Sequence, residues 1–312
     1  MSLSVSDLII PILVYPRSLN YPNLKFRKGG PIIASSDDKI RLLVNNLIKN
    51  GITDVLLFGL PYKRDRYGTS AADKFGPVQI ATKEIKRDIG STVNLITDVC
   101  VCQYNFSGHC GISDDDNHEG VDNFKSLALL DKIAISHADS GADCVAPSAM
   151  MDGQVYSIRK SLDSCGFGAV KIMSYSAKHA SSLYGPFRSV AFARSMSRGM
   201  VFDKSGYQLS YSNRREAIRE IEQDISEGAN MVMVKPTLWY LDLVYEIKKM
   251  INVPLVAQVV SGEYLMLLKG AQLRDRFDEL IEILISVKRA GSDKVITYIA
   301  MDFVEQINKK LS

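Results

Sequence analysis

At 312 residues, 46% hydrophobic and 23% charged, the chain has the make-up of a globular protein that buries a large core, and its length suits one α/β barrel. Lys plus Arg (38) barely exceed Asp plus Glu (35), and a net charge of +3 argues against a nucleic-acid or membrane surface. No apolar run nears a membrane span, MSLSVSDLII does not read as a signal peptide, and five cysteines suggest thiols or metal ligands rather than a disulfide framework; the expected compartment is the cytoplasm.

Short apolar, β-branched runs alternate with longer stretches of helical period. The first run is 8–14, followed by a basic loop (PRSLNYPNLKFRKGG) and a capped helix over 37–50, stopped by Gly51. Next come a strand over 54–58 and a helix near 78–89, a strand over 93–97 and a helix near 121–140, then a strand over 143–146 and a helix near 154–164. The fifth strand, 170–174, precedes a long insertion before the helix near 213–227. Strand 231–234 with helix 239–250, strand 255–260 with helical stretches near 263–269 and 276–290, and strand 294–298 with a terminal helix after Ala300 complete the series. Eight such units predict a closed TIM (β/α)8 barrel, with an open doubly wound sheet as the alternative that periodicity leaves standing. No linker or composition shift divides the chain, so residues 1–312 read as one catalytic domain.

In such a barrel the chemistry lies at the carboxyl ends of the strands. That rule gathers Asp98, Cys100 and Cys102 after strand three, and Ser148 and Asp152 after strand four. Ser174, Tyr175, Ser176 and Lys178 follow strand five, Lys235 ends strand six, Ser261 and Glu263 follow strand seven, and Tyr298 ends strand eight. Lys235, in MVMVKP, ends a run that reads as a buried strand. A desolvated amine has a lowered pKa and attacks carbonyl carbons to form a Schiff base. The bland alternative is a lysine that snorkels to water or pairs with a carboxylate. Lys178, in SYSAKHASS after the adjacent strand, places a second amine nearby.

Cys100, Cys102 and Cys110 form C-x-C-x7-C in TDVCVCQYNFSGHCG. Three thiolates plus an exchangeable water is the pattern of a catalytic zinc, against a chance cluster of buried thiols. His109 beside them reads as a hydrogen-bonding group, and Cys144 and Cys165 have no assigned role. The segment 178–208, rich in Gly, Ser, Arg and aromatics, reads as an active-site lid on which Arg188 and Lys204 bind a carboxylate, while Arg194 and Arg198 face water. SDDDNHEG (113–120) reads as a solvated acidic turn rather than a cation site.

From LLFGLP through ITDVCVCQYNFSGHCG, GADCVAPSAMMDG, IMSYSAKHASSLYGPFR, YQLSYSNRREAIRE, EGANMVMVKP and VSGEY to KRAGSDKVITYIA, the chain resembles the porphobilinogen synthase, or 5-aminolevulinate dehydratase, family. The resemblance implies a TIM barrel in which Lys235 forms a Schiff base with the first 5-aminolevulinate, whose carboxylate meets Ser261 and Tyr298. Lys178 would bind the second molecule, with its carboxylate at Arg188, Lys204 and Gln208, and Asp98 would assist proton transfer. It also implies Zn2+ on the three cysteines, a homo-oligomer, and the question of Mg2+ at an allosteric site. The departures are Ala149 and Gln154 in the motif after strand four, Gln258 and Val259 before VSGE, the missing SMPG-like stretch after strand one, and a short N-terminal arm. They leave two alternatives to a porphobilinogen synthase: a paralogue condensing another amino ketone, and a catalytically silent barrel acting as a binding subunit.

Overall fold

The computed structural model describes residues 3–18, 32–113, 120–191, 203–268, 276–298 and 304. In chain order the elements are β1 (Leu8–Tyr15), β2 (Ile32–Ser35), α1 (Asp38–Lys49), β3 (Asp54–Gly59), α2 (Pro77–Ile89), β4 (Asn94–Val99), β5 (Ile112–Ser113), β6 (Val121–Asp122) and α3 (Asn123–Asp139). They continue with β7 (Cys144–Pro147), α4 (Gln154–Ser164), β8 (Lys171–Lys178), α5 (Gly185–Ala191), α6 (Arg214–Ser226), β9 (Met231–Lys235), α7 (Leu241–Met250), β10 (Leu255–Gln258), α8 (Ser261–Leu268), α9 (Phe277–Ala290) and β11 (Lys294–Ile296). Strands β1, β3, β4, β7, β8, β9, β10 and β11 pair in parallel, and β11 returns to β1, so the sheet closes into a TIM barrel. Closure resolves the choice against an open sheet. Among the described residues no helix is long and apolar enough to cross a membrane.

The sequence explains each layer. In α1, Asp37 caps Lys39 N, and Ile40, Val44 and Leu47 recur at helical spacing on the buried face. In β1, Ile10, Ile12 and Val14 join the cluster containing those α1 residues, while Ile9 and Leu13 belong to the other core cluster, with Leu56, Ile96, Met173 and Met233. Pro11 sits inside β1 because a break falls beside it. On that side β11 pairs only with Leu8 and Ile9, and β2 begins at Ile12. Ile9 O and Tyr15 O both accept bonds from that side, so alternation turns the missing Pro11 N–H toward the break.

Several elements differ from the sequence expectation. The strand β2 pairs in parallel beside the end of β1 where a loop was expected. The helix expected from 121 begins at Asn123, because Val121 and Asp122 pair antiparallel with Ile112 and Ser113, and the Asp122 carboxylate caps Lys125 N. The fifth strand runs to Lys178 rather than Ser174, since its far end pairs with β9. Most of the basic loop, the acidic turn at 114–119, the lid residues 192–202 including Arg194 and Arg198, and the terminal helix apart from Val304 lie outside the described residues.

Residues 182–191 of the 178–208 segment dock on α8. There α5 follows a 3₁₀ turn at Ser182–Tyr184, and Phe187 N donates to Ser261 Oγ at 3.0 Å. Gly262 lets this approach happen: a Cβ there would stand 2.7 Å from Leu183 Cα and 2.8 Å from its carbonyl carbon, both backbone atoms. Gly262→Ala should therefore destabilise the protein by about 1–3 kcal/mol and speed proteolysis within 182–191. Urea unfolding and limited digestion measure this; an unchanged midpoint with unchanged cleavage would contradict the packing argument.

Candidate active site

At seven of the eight barrel strands, an inward side chain at or just past the carboxyl end lies at one mouth. Phe58, Asp98, Ser148, Lys178, Lys235, Val260 and Tyr298, one from each of seven strands, line a cavity of about 530 Å³ including its opening. Cys102, Gln103, Cys110, Tyr184, Phe187, Arg188, Lys204, Gln208 and Ser261 complete the wall. Thus ten of the eleven residues to which the family resemblance assigns a role line one space, and the eleventh, Cys100, has its sulfur 3.3 Å from that of Cys102, whereas Asp152, Ser174, Tyr175, Ser176 and Glu263, also expected at the mouth, do not line the cavity.

Lys178 reaches this wall through a β-bulge. On β8, Ser174 faces outward, its hydroxyl bonded to Asp224 at 2.6 Å, and Tyr175 faces inward beneath the lysines. Plain alternation would then aim Lys178 outward. Between Ser174↔Val232 and Ala177↔Val234 the register slips by one residue, and Lys178 becomes the direct partner of Lys235. The Lys178 ammonium donates to Ser148 O. Lys235 Nζ lies 5.0 Å from the Tyr175 ring centroid and 5.3 Å from that of Tyr184. Burial first, and the neighbouring Lys178 charge second, lower the Lys235 amine to about 7, against a smaller opposing pull from Asp98. Burial pushes the Asp98 carboxyl up, opposed by Ser148 and both lysines. Asp98 Oδ1, Tyr175 Oη and Gln208 Oε1 are buried without a protein partner, as befits a mouth that takes a polar ligand.

The cysteine loop is held by local turns. Asn105 accepts from Gly108 N at 2.7 Å and donates to His109 O at 2.9 Å, and Gly108 takes a left-handed φ of +71°. This hairpin returns Cys110 to Cys100 and Cys102. The three sulfurs lie within 4.8 Å of one another, with Cys100 and Cys102 3.3 Å apart. Those separations bracket the roughly 3.8 Å between ligands of a tetrahedral ion with ~2.3 Å metal–sulfur bonds. Three buried thiols converging on one point fit a thiophilic cation. Hydrogen bonds from Cys100 and Cys102, and then the Lys204 charge, hold the Cys110 thiol well below its ordinary range, while contact with Cys102 first, then with Cys110, and burial drive the Cys100 thiol up. Burial disfavours the charged Lys204, but the thiols around it outweigh this and raise its pKa.

Two groups of carboxylate-binding type flank the lysines. Ser261 opens α8 with Tyr298 nearby in the wall, while Arg188, Lys204 and Gln208 come from the segment before α6. Arg188 is anchored over the Tyr184 ring at 5.4 Å. Phe187 packs edge-on against Phe58 at 5.5 Å, and Arg64 joins the lid to the cysteine loop by donating to Ala191 O at 2.5 Å and Gln103 O at 2.7 Å. Glu263 accepts from Thr237 N, Leu238 N and Val260 N at 3.0, 2.6 and 2.6 Å, fastening the turn after Lys235 to the start of α8. Sequence reasoning gave no role to Tyr175, Tyr184, Arg64 or Tyr207. Tyr184 lies in the YGPFR stretch and Tyr207 immediately precedes Gln208, and those positions are the only signals available for them.

Comparisons with known proteins agree with this geometry. The family model for delta-aminolevulinic acid dehydratase matches residues 1–306. The delta-aminolevulinic acid dehydratase of Archaeoglobus fulgidus is 42% identical, covering 98% of this chain and 92% of its own length. That of Staphylococcus epidermidis is 43% identical over 97% of this chain and 92% of its own length. A crystal structure of the Toxoplasma gondii ME49 enzyme, in complex with its reaction product porphobilinogen, superposes with a TM-score of 0.89 at 36% identity, covering 99% of this chain and 86% of that one. The chain therefore belongs to the delta-aminolevulinic acid dehydratase family.

Proposed function

We propose that this protein condenses two molecules of 5-aminolevulinate into porphobilinogen with loss of two waters, as a hydro-lyase of tetrapyrrole biosynthesis working as one barrel with the 178–208 segment as its lid. The observation that carries the reading is the direct pairing of Lys178 with Lys235 inside one cavity, flanked by two carboxylate-binding groups. Two amines and two anion sites match two copies of an amino keto acid. The family membership and the product-bound relative support the same substrate.

The residue roles that the family resemblance implies are compatible with each residue's surroundings. A Lys235 amine with a pKa of about 7 is substantially uncharged at neutral pH, so its lone pair is available to the ketone carbon of the first substrate. Loss of water leaves an iminium, which draws electrons from the adjacent carbon and eases removal of its proton. Ser261 and Tyr298 hold that substrate's carboxylate. The second substrate meets Lys178 with its ketone, and Arg188, Lys204 and Gln208 with its carboxylate. Asp98, with a raised pKa and a place between the lysines and the cysteine loop, exchanges protons with the second amino group. Cys100, Cys102 and Cys110 would hold zinc, whose preference for three thiolates suits the site and which supplies Lewis acidity toward a substrate oxygen. The closed lid keeps out water that would hydrolyse imines.

The departures from the family pattern do not favour another amino ketone. Ala149, Gln154 and Gln258 are buried but absent from the cavity wall, so they pack behind the surface a substrate touches.

Borohydride reduction in the presence of 5-aminolevulinate, followed by peptide mapping, should place the adduct on Lys235, and Lys235→Met should lower pyrrole formation by more than ~10³-fold. No adduct, or full activity in the variant, would reject the role of Lys235. Chelation should abolish activity and zinc restore it; full turnover in a preparation verified to be zinc-free would remove the metal from the mechanism.

A further inference from the structure

One turn at the end of the 178–208 segment reaches Cys110 twice. Gln208 N and Tyr207 N both donate to Lys204 O, at 2.9 and 3.3 Å, so residues 204–208 form a compact turn. From it the buried Lys204 ammonium donates to Cys110 Sγ at 3.2 Å. The Tyr207 hydroxyl accepts from Cys110 N at 3.0 Å and pairs with His109 Nδ1 at 3.2 Å. Gln208, the third side chain of the turn, lines the substrate cavity with Lys204.

Charge counting gives these contacts a meaning. Three thiolates around a divalent ion carry one net negative charge, and a buried charge needs a partner. Lys204 is the ammonium on Cys110, the cysteine that closes the loop. Groups that hydrogen-bond a metal's ligands orient them and tune affinity. An ammonium also carries three donors, enough to serve a sulfur and a carboxylate at once.

We propose that Lys204 and Tyr207 are positioning residues of the metal centre, and that Lys204 couples metal binding to binding of the second substrate's carboxylate. This rests on the cysteine metal site above. Lys204 neutralises the thiolate–metal unit, and Tyr207 fixes the Cys110 backbone so that its sulfur points at the other two. The carboxylate approaches the same ammonium from the cavity side. Because coupling of two binding events is reciprocal, each ligand alters the affinity of the other. A lysine serving only the carboxylate would leave metal affinity untouched.

The test is zinc affinity of the substrate-free full chain, measured by competition with a chromophoric chelator. Lys204→Met should bind zinc ~10- to 100-fold more weakly than wild type, and Lys204→Arg, which keeps the charge, should recover most of the loss. Tyr207→Phe, which keeps the ring and removes one oxygen, should weaken zinc by ~2- to 10-fold and stands as an independent reading if Lys204→Met does not fold. Adding 5-aminolevulinate should shift zinc affinity in wild type and leave it unshifted in Lys204→Met. Wild-type zinc affinity in folded Lys204→Met or in Tyr207→Phe would overturn the proposal. Wild-type protein that takes up no zinc would instead overturn the metal site on which it rests.

Discussion

Two amines held side by side out of water are the constraint on which the rest of the structure depends. Ammonium groups in adjacent strand positions repel one another and lose hydration, and both effects favour a neutral amine. The barrel enforces the arrangement through covalent geometry. A one-residue bulge in β8 turns Lys178 inward and sets it opposite Lys235. The neighbours then limit the cost. Ser148 O accepts from Lys178, and the Tyr175 and Tyr184 rings offer their faces to Lys235. Asp98 supplies the compensating carboxyl. The result divides the labour, since Lys235 is the amine whose protonation falls into the physiological range.

Around this pair, the remaining elements form a frame linking the lid and the cysteine loop. Arg64 bonds the end of α5 and the backbone of Gln103 together, and the turn at 204–208 bonds to Cys110. Glu263 joins the turn after Lys235 to the helix that begins with Ser261. Lys235, Ser261, the 204–208 turn and the three thiols are thus connected by hydrogen bonds. Residues 185–191 and 204–208 are both bonded to the loop that carries the sulfurs.

Much of this was legible in the sequence. Alternating strands and helices gave the barrel, and the rule that chemistry sits at strand ends collected Asp98, Lys178, Lys235, Ser261 and Tyr298 from distant segments. The C-x-C-x7-C spacing gave the sulfur cluster, and the lid reading picked out Arg188 and Lys204, which line the cavity. What stayed hidden depends on pairing between segments far apart. Lys178 read as a loop residue because the bulge that makes it a strand residue is defined by the register of β9. β2 was missed because a short run such as PIIAS becomes a strand only when β1 offers it an open edge. Arg64 and Tyr207 carry no local signature, since their partners lie 39 to 127 residues away in Gln103 and Ala191, and 97 and 98 residues away in Cys110 and His109.

The central claim is that Lys235 is substantially neutral at physiological pH because it is buried beside Lys178. An NMR titration of the Lys235 Nζ in protein carrying isotopically labelled lysine measures this directly. Being an amine with a lowered pKa, Lys235 should be charged below and neutral above a midpoint of about 7, and Lys178→Met should move that midpoint upward by removing a neighbouring positive charge. A midpoint near the ordinary lysine value of ~10.4, unchanged by Lys178→Met, would contradict the account.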